Sequence, residues 1–443
     1  MLLISPVASG QTKRIPGILF GGGSEQKPAP VVTDPWLPVG ARVGALVPRP
    51  EAVDRACSTR TPVCVHWDAS AAESAPQALF ALETAYSKLV HALGLPAPRA
   101  DFGEGGSDAL DFYITPDAPL TGNVRRAHTR HALFDSAAAY CTGPGTLPWD
   151  RQATLCVAEA IAWRLNAATS PHIKRAYATH VWNTIGYPTS LDLEQLDDLQ
   201  ANPQLGIATR ELGPVSEASG LWFEYLEQRL GRGVPLGVST AMLAQSATQT
   251  PARSFEWHAE PDIFDVLRRT LDDKPRKIAD LFLGFGVARA FLGSRDDGTH
   301  MPTLGWAGRF GAARVDWSIK FSSLPRRVGV LRPLSPTGSV YMWLSLDHVP
   351  KGKTLGFQAE WEPPAAFHWA LVRVDKDGRE LGRMLAPFTE RGTEVEQTLV
   401  QLEGAVGVLV VGTSLGGVDP THPFDPDVAP HEPHGCTVYL AAI

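Results

Sequence analysis

The feature that most constrains the fold is a change of hydrophobic period part-way along the chain. Between residues 56 and 300 apolar side chains recur mainly at helical spacing, whereas from about residue 315 they fall in short alternating or continuous runs cut by turn residues. Segments segregated in this way predict an α+β chain whose second part is a sheet packed on a sheet. Runs at 315–319, 338–344, 355–359, 367–374, 405–411 and 437–440 supply the strands. The turn Asp375-Lys376-Asp377-Gly378 after Val374 joins one of them to the next. Residues 310–443 are therefore expected to form an antiparallel β-sandwich accessory domain.

Residues 1–55 combine Gly21-Gly22-Gly23 with repeated prolines from Pro28 to Pro50, a composition that favours an extended lead-in over a packed domain. The glycine triplet lacks the G-x-x-x-x-G-K-[ST] pattern of a phosphate loop. The start, Met1-Leu2-Leu3-Ile4-Ser5-Pro6-Val7-Ala8-Ser9-Gly10, sets small residues after a short apolar run, as the end of a secretory signal does, without the basic residues that open one. A truncated signal is the expectation, and with it an extracytoplasmic protein, periplasmic or secreted. No other stretch approaches the ~18 consecutive apolar residues of a transmembrane segment. The net charge is −7, and the basic clusters Arg125-Arg126, Arg268-Arg269 and Arg326-Arg327 are short. That balance argues against a sequence-independent hold on nucleic acid.

Within residues 56–300 the most informative segment chemically is Cys156-Val157-Ala158-Glu159-Ala160-Ile161-Ala162-Trp163. A zinc-hydrolase helix needs His at i and i+4, so that both imidazoles leave one face, and Glu at i+1 to take a proton from metal-bound water. Here Glu159 stands at the general-base position, and the methyl groups of Ala158 and Ala162 stand where the imidazoles would be. By itself the pattern is ordinary helix composition.

The order of elements around it adds weight. An extended segment at 62–67 precedes an amphipathic helix over about 70–93, with Leu79, Leu82, Tyr86, Leu89, Val90 and Leu93 at helical spacing. Then come an alternating strand at 110–115, a loop, the Glu159 helix, a second helix around Lys174-Arg175-Ala176-Tyr177-Ala178-Thr179-His180-Val181-Trp182, and a helix at 216–230 ended by Gly231. Across residues 62–293 this order resembles secreted zincin-type metallopeptidases of the gluzincin kind.

The resemblance implies a zincin-like α+β domain over residues 56–300. It also implies that Arg175 occupies the place of the third metal ligand, a Glu opening an E-G-x-A-T-W-like run. The three positions Ala158, Ala162 and Arg175 have then lost their metal-binding groups together, and no zinc cofactor is expected. A glutamate left in such a cleft must be paired or protonated, and Arg175 is its expected partner. Charged ends more than about 6 Å apart would rule the pair out. The former substrate cleft, with Glu159, Arg175, Tyr177 and His180 as its candidate lining, becomes a recognition groove for an unidentified protein or peptide in a catalytically inactive homologue. Two other readings stand beside this one: an active hydrolase using residues outside the alignment, such as His172 or His180, and a purely structural envelope or surface component.

Five cysteines fall as the close pairs Cys57 with Cys64 and Cys141 with Cys156, plus Cys436. In an exported chain each pair closes a small disulfide loop; in a reducing compartment all five are buried thiols. Neither spacing is the C-x-x-C of a zinc ribbon or redox motif. His128 and His131 lie at i, i+3, but Arg125, Arg126 and Arg130 oppose a dication there. Asp419, Asp425 and Asp427, followed by His431, Glu432 and His434, form a weak calcium candidate in a proline-stiffened loop. No G-x-S-x-G elbow occurs. Trp222, Trp257, Trp317, Trp343 and Trp369 are the residues from which a sugar platform would be drawn, although core packing claims most tryptophans first.

Overall fold

The computed structural model describes residues 49–101, 103–118, 123–126, 137–146, 148–167, 169–207, 214–246, 261–272, 274–347, 352–388, 392–417 and 432–443. The signal-like start and glycine triplet, His128 and His131, Trp257, and Asp419, Asp425, Asp427 and His431 lie outside the described residues.

Strands β1 (Asp54–Cys57), β2 (Val63–Trp67), β3 (Leu110–Ile114), β4 (Asn123–Arg126) and β5 (Ala139–Gly143) make a mixed sheet in the order β1-β2-β3-β5-β4. β2, β3 and β5 run parallel, with β1 and β4 antiparallel at the edges. Alternation along β3 sends Leu110, Phe112 and Ile114 into the main core and Tyr113 into a cluster on the other face. Helices α1 (Ala75–Tyr86), prolonged by a π-helical turn at Ser87–Ala92, and α2 (Trp149–Leu165) share that main core. Every residue of α2 from Arg151 to Ala162 is buried. A helix enclosed on all sides has no solvent stripe, and its small alanines let neighbouring helices come close.

Helix α3 (Pro171–Ile185) starts where Ser170 accepts from the Ile173 amide at 3.1 Å, with Pro171 in the first turn. A Thr189/Asp192 capping box opens α4 (Ser190–Ala201). Next come α5 (Pro214–Ala218), α6 (Gly220–Leu230), α7 (Gly237–Gln245), α8 (Ile263–Thr270) and α9 (Pro275–Ala290). Gly220 is needed for contact between α6 and α3, because a Cβ there would lie 2.9 Å from both the Ala176 carbonyl and the His180 amide nitrogen. Trp222 then stacks on Phe282 of α9 with centroids 5.0 Å apart.

The second part contains β6 (Trp317–Lys320), β7 (Arg326–Gly329), β8 (Ser339–Ser345), β9 (Thr354–Trp361), β10 (Phe367–Val374), β11 (Glu380–Leu385), β12 (Glu394–Gln401), β13 (Gly407–Ser414) and β14 (Cys436–Ala442). They form sheets ordered β11-β10-β13-β8-β6 and β12-β9-β14-β7. Phe357, Trp369, Val410 and Leu440 belong to the core they share. The pairings are antiparallel except that β6 runs parallel to β8, which corrects the wholly antiparallel expectation. The chain visits β7, in the other sheet, between β6 and β8, and such a crossover returns a strand in the same direction.

Helix α9 packs Leu283 and Val287 with Tyr341, Ala370 and Val411 on the outer face of the larger sheet. Tyr341 Oη donates to the Gly286 carbonyl at 2.7 Å. Disulfides Cys57–Cys64 and Cys141–Cys156 link β1 to β2 and β5 to α2, and Cys436 is a buried free thiol. Among the described residues no helix is long and apolar enough to cross a membrane.

A buried charge ladder at the candidate site

Glu159 projects from α2 toward α3, where Arg175 Nε lies 3.0 Å from Glu159 Oε2. Both side chains are under a tenth exposed. The pair expected from the sequence is therefore formed, well inside the separation that would have excluded it.

The charges continue beyond the pair. Arg175 Nη1 lies 3.9 Å from Glu217 Oε1 of α5, and Glu217 Oε2 accepts from Arg151 Nη2 at 2.9 Å. Arg151 Nε donates to Asp192 Oδ1 at 2.7 Å. Asp192 Oδ2 in turn accepts from Trp182 Nε1 at 3.0 Å and from the Thr189 amide and hydroxyl, each at 2.7 Å. Signs alternate along the row Glu159, Arg175, Glu217, Arg151, Asp192. Burial works against the charge of Arg151, but Asp192 and Glu217 outweigh it and hold the guanidinium above the usual arginine value. The ladder joins α2, α3, α5 and the cap of α4 through groups that would be costly to bury singly.

Ala158 and Ala162 are fully buried in the apolar core. The residues at the three positions expected from the sequence to match metal ligands do not fit a zinc ion: two offer methyl groups, and the third is a cation set against Glu159. Among the described residues no group of three His, Cys, Asp or Glu side chains is placed to hold a metal ion.

The other cleft candidates lie further along α3. Tyr177 is fully buried, shares a hydrogen bond with Thr240 Oγ1 of α7 at 3.0 Å, and has its phenol pushed up by burial. His180, also buried, stacks on Phe223 and lies 3.6 Å from Glu224 and 3.7 Å from Glu227. Glu227 accepts from the Val238 and Ser239 amides at the start of α7. Burial raises its pKa, but His180 and those amides outweigh the burial and hold the carboxyl below the usual range. His172 is fully buried near the start of α3. The structure thus brings Glu159 and Arg175 together, and sets Tyr177 and His180 against α6 and α7.

Open surface occurs beside the ladder. A groove of about 980 Å³ runs along α1, the start of α2 and the end of α3, with Phe80, Trp149, Trp182 and Tyr187 in its walls. Phe80 is 66% and Tyr187 82% exposed. Trp182 is also the indole bonded to Asp192, so groove and ladder share a residue. The sequence reading missed Arg151, Asp192 and Glu217. Only Asp192 had a local mark, its place three residues after Thr189 in a capping box.

No protein-family model matches the chain, and no curated protein matches it by sequence. Among solved structures it is similar to the pre-peptidase C-terminal domain of the collagenase of Bacillus anthracis, at 7% identity and a TM-score of 0.19, over 30% of this chain and 100% of that one. A likeness that weak fixes neither fold nor function.

Proposed function

We propose that this chain is an exported, catalytically inactive relative of zincin-type metallopeptidases that acts by binding or scaffolding and cleaves no bond. The observation that carries the reading is the 3.0 Å contact between Arg175 and Glu159. A general base must be free to take a proton from an activated water; here the carboxylate is buried and held by a guanidinium at the position assigned to a metal ligand. The two disulfides suit an oxidising, extracytoplasmic compartment. With Glu159, Arg175, Tyr177 and His180 all buried, recognition of a peptide or protein falls to the aromatic groove of Phe80, Trp149 and Tyr187 at the side of the helix pair.

Metal analysis and peptidase assays on the purified protein test this. The expectation is no stoichiometric zinc and no chelator-sensitive cleavage; zinc whose removal abolishes cleavage would overturn the reading. The alignment itself is tested by the triple variant A158H/A162H/R175E, which should acquire zinc affinity in the folded state. A folded variant that binds no more zinc than the parent counts against the assignment of those positions.

A further inference from the structure

The larger sheet of the sandwich extends past the end of α9. Beyond Phe291 its outer face, carrying Trp343, Leu409 and Val374, floors a cavity of about 640 Å³, within the ~300–1,000 Å³ typical of small-molecule sites. The shape of that floor comes from Gly407. A Cβ there would come within 2.1 Å of Trp343 Cζ2 and Cη2, so the missing side chain gives the indole room to lie across β13. Leu409, paired with Trp343 in the ladder of β13 and β8, continues the apolar floor.

The rim has the opposite character. One wall is the segment after α9, with Ser294, Arg295 and Asp296, and the other is the β10–β11 turn, with Asp377 and Arg379. Two guanidiniums and three carboxylates thus line it: Asp297 is held by His300, Asp377 Oδ1 lies 3.4 Å from Lys376 Nζ, Asp296 Oδ1 accepts from the Gly298 amide at 3.0 Å, and Arg295 Nη1 donates to the Ala313 carbonyl at 3.1 Å. Among the described residues the Arg379 guanidinium, the Ser318 hydroxyl and the Trp343 indole N–H have no hydrogen-bond partner.

The two walls are fastened to each other. His300 Nδ1 lies 2.9 Å from Asp297 Oδ2, and Nε2 lies 2.8 Å from Glu380 Oε2, next to the turn. The His300 ring stacks on Phe291 at 4.3 Å, and Glu380 also accepts from Arg383 Nε at 2.7 Å. A ligand would meet walls already set in position, which lowers the ordering cost of binding.

The geometry points to a binding site for a neutral saccharide. A pyranose presents a face of C–H groups that packs on an indole and a girdle of hydroxyls that both donate and accept. Carboxylates only accept and guanidiniums only donate, so a mixed rim can satisfy both functions of those hydroxyls. Charges of both signs line the rim, so an ionic ligand of either sign meets repulsion as well as attraction there. A wholly apolar ligand would bury the rim groups without partners, at a cost. Among the described tryptophans named from the sequence as possible sugar-platform residues, Trp343 is the one that lines this cavity. This site is independent of the helix-pair reading, and its test does not depend on it.

Isothermal titration of the full chain with maltotriose, cellotriose and triacetylchitotriose tests the site. At least one should bind, and W343A should weaken that binding by about tenfold or more, the loss of one stacked aromatic contact and its buried area. The double variant D377A/R379A, on an exposed turn, should weaken it several-fold with the fold intact by circular dichroism. H300A, which acts through the walls, should weaken binding in the same titrations through a less favourable entropy, since the walls must then be ordered by the ligand. No heat with any of the three sugars in the millimolar range, or binding that both W343A and D377A/R379A leave unchanged, overturns the site.

Discussion

Removing Arg175 while keeping Glu159 strikes the charge ladder at the contact that gives it meaning. The two side chains are under a tenth exposed and 3.0 Å apart. Deleting one partner of such a pair costs about 3–5 kcal/mol, because the other charge stays buried without it. R175M keeps most of the side-chain volume, so the loss is chiefly electrostatic and only slightly one of packing. In E159Q the amide replaces the carboxylate and Arg175 still faces Glu217 at 3.9 Å, so that variant should lose roughly 1–3 kcal/mol. The double variant E159Q/R175M, with both charges gone, should recover much of the R175M deficit, and the cycle gives the coupling directly.

The pH dependence has a definite sign. In R175M the Glu159 carboxyl is buried without its cation, so its folded pKa rises above the ordinary ~4.3. The penalty is then complete above the raised value and fades as pH falls through it toward the unfolded one. Urea unfolding followed by near-ultraviolet circular dichroism, extrapolated linearly to water at several pH values, measures both effects. An R175M protein within about 0.5 kcal/mol of the parent at neutral pH, the range of an ordinary surface change, would refute the reasoning. So would a larger deficit that does not shrink in acid.

The covalent and ionic ties elsewhere in the molecule can be tested in the same way. C141A/C156A should lower stability by about 3 kcal/mol, the loop-closure value for a cross-link of this span, and thiol titration of the denatured, unreduced parent should find one reactive cysteine, Cys436; a count of five would remove both disulfides from the account. Burial pushes the Glu380 carboxyl up, but hydrogen bonds from His300 and Arg383 outweigh it and hold the pKa down to about 2. A depressed carboxyl contributes stability above its unfolded pKa and loses it as pH falls through the folded one. The gap in stability between the parent and E380Q should therefore be widest near neutrality and close toward about pH 2, and a pH-independent gap would contradict this.

Much of the element pattern was legible. The extended run at 62–67 is β2, the alternating run at 110–115 is β3, and Glu159 and Arg175 lie on successive helices. The Asp375–Gly378 turn joins β10 to β11, with Asp375 Oδ1 accepting from the Asp377 and Arg379 amides. The stretch read as a loop after residue 115 carries β4 and β5, and β1, β7 and β12 also escaped notice; in β7 and β12 Arg326-Arg327 and the acidic Glu394-Val395-Glu396 dilute the apolar alternation of short strands. The enclosure of α2 was equally hidden. Arg151 and Glu159 suggest solvent-facing positions, yet both are buried, because their partners come from α3, α4 and α5 and not from the same turn of helix.

Residues close together in the chain dictate the local features: helix caps at Ser170, Thr189 and Asp262, the turn after Val374, the cysteine pairs of short span, and the opposite charges of Glu159 and Arg175 on consecutive helices. Everything that depends on residues far apart was settled by packing. It set Arg151 against Asp192 and Glu217, 41 and 66 positions away, turned the expected cleft lining into interior, and laid Trp343 across Gly407 beside the segment after α9. Local propensity acts through a few adjacent dihedral angles and hydrogen bonds, whereas desolvation and ion pairing depend on which surfaces the packed chain brings face to face.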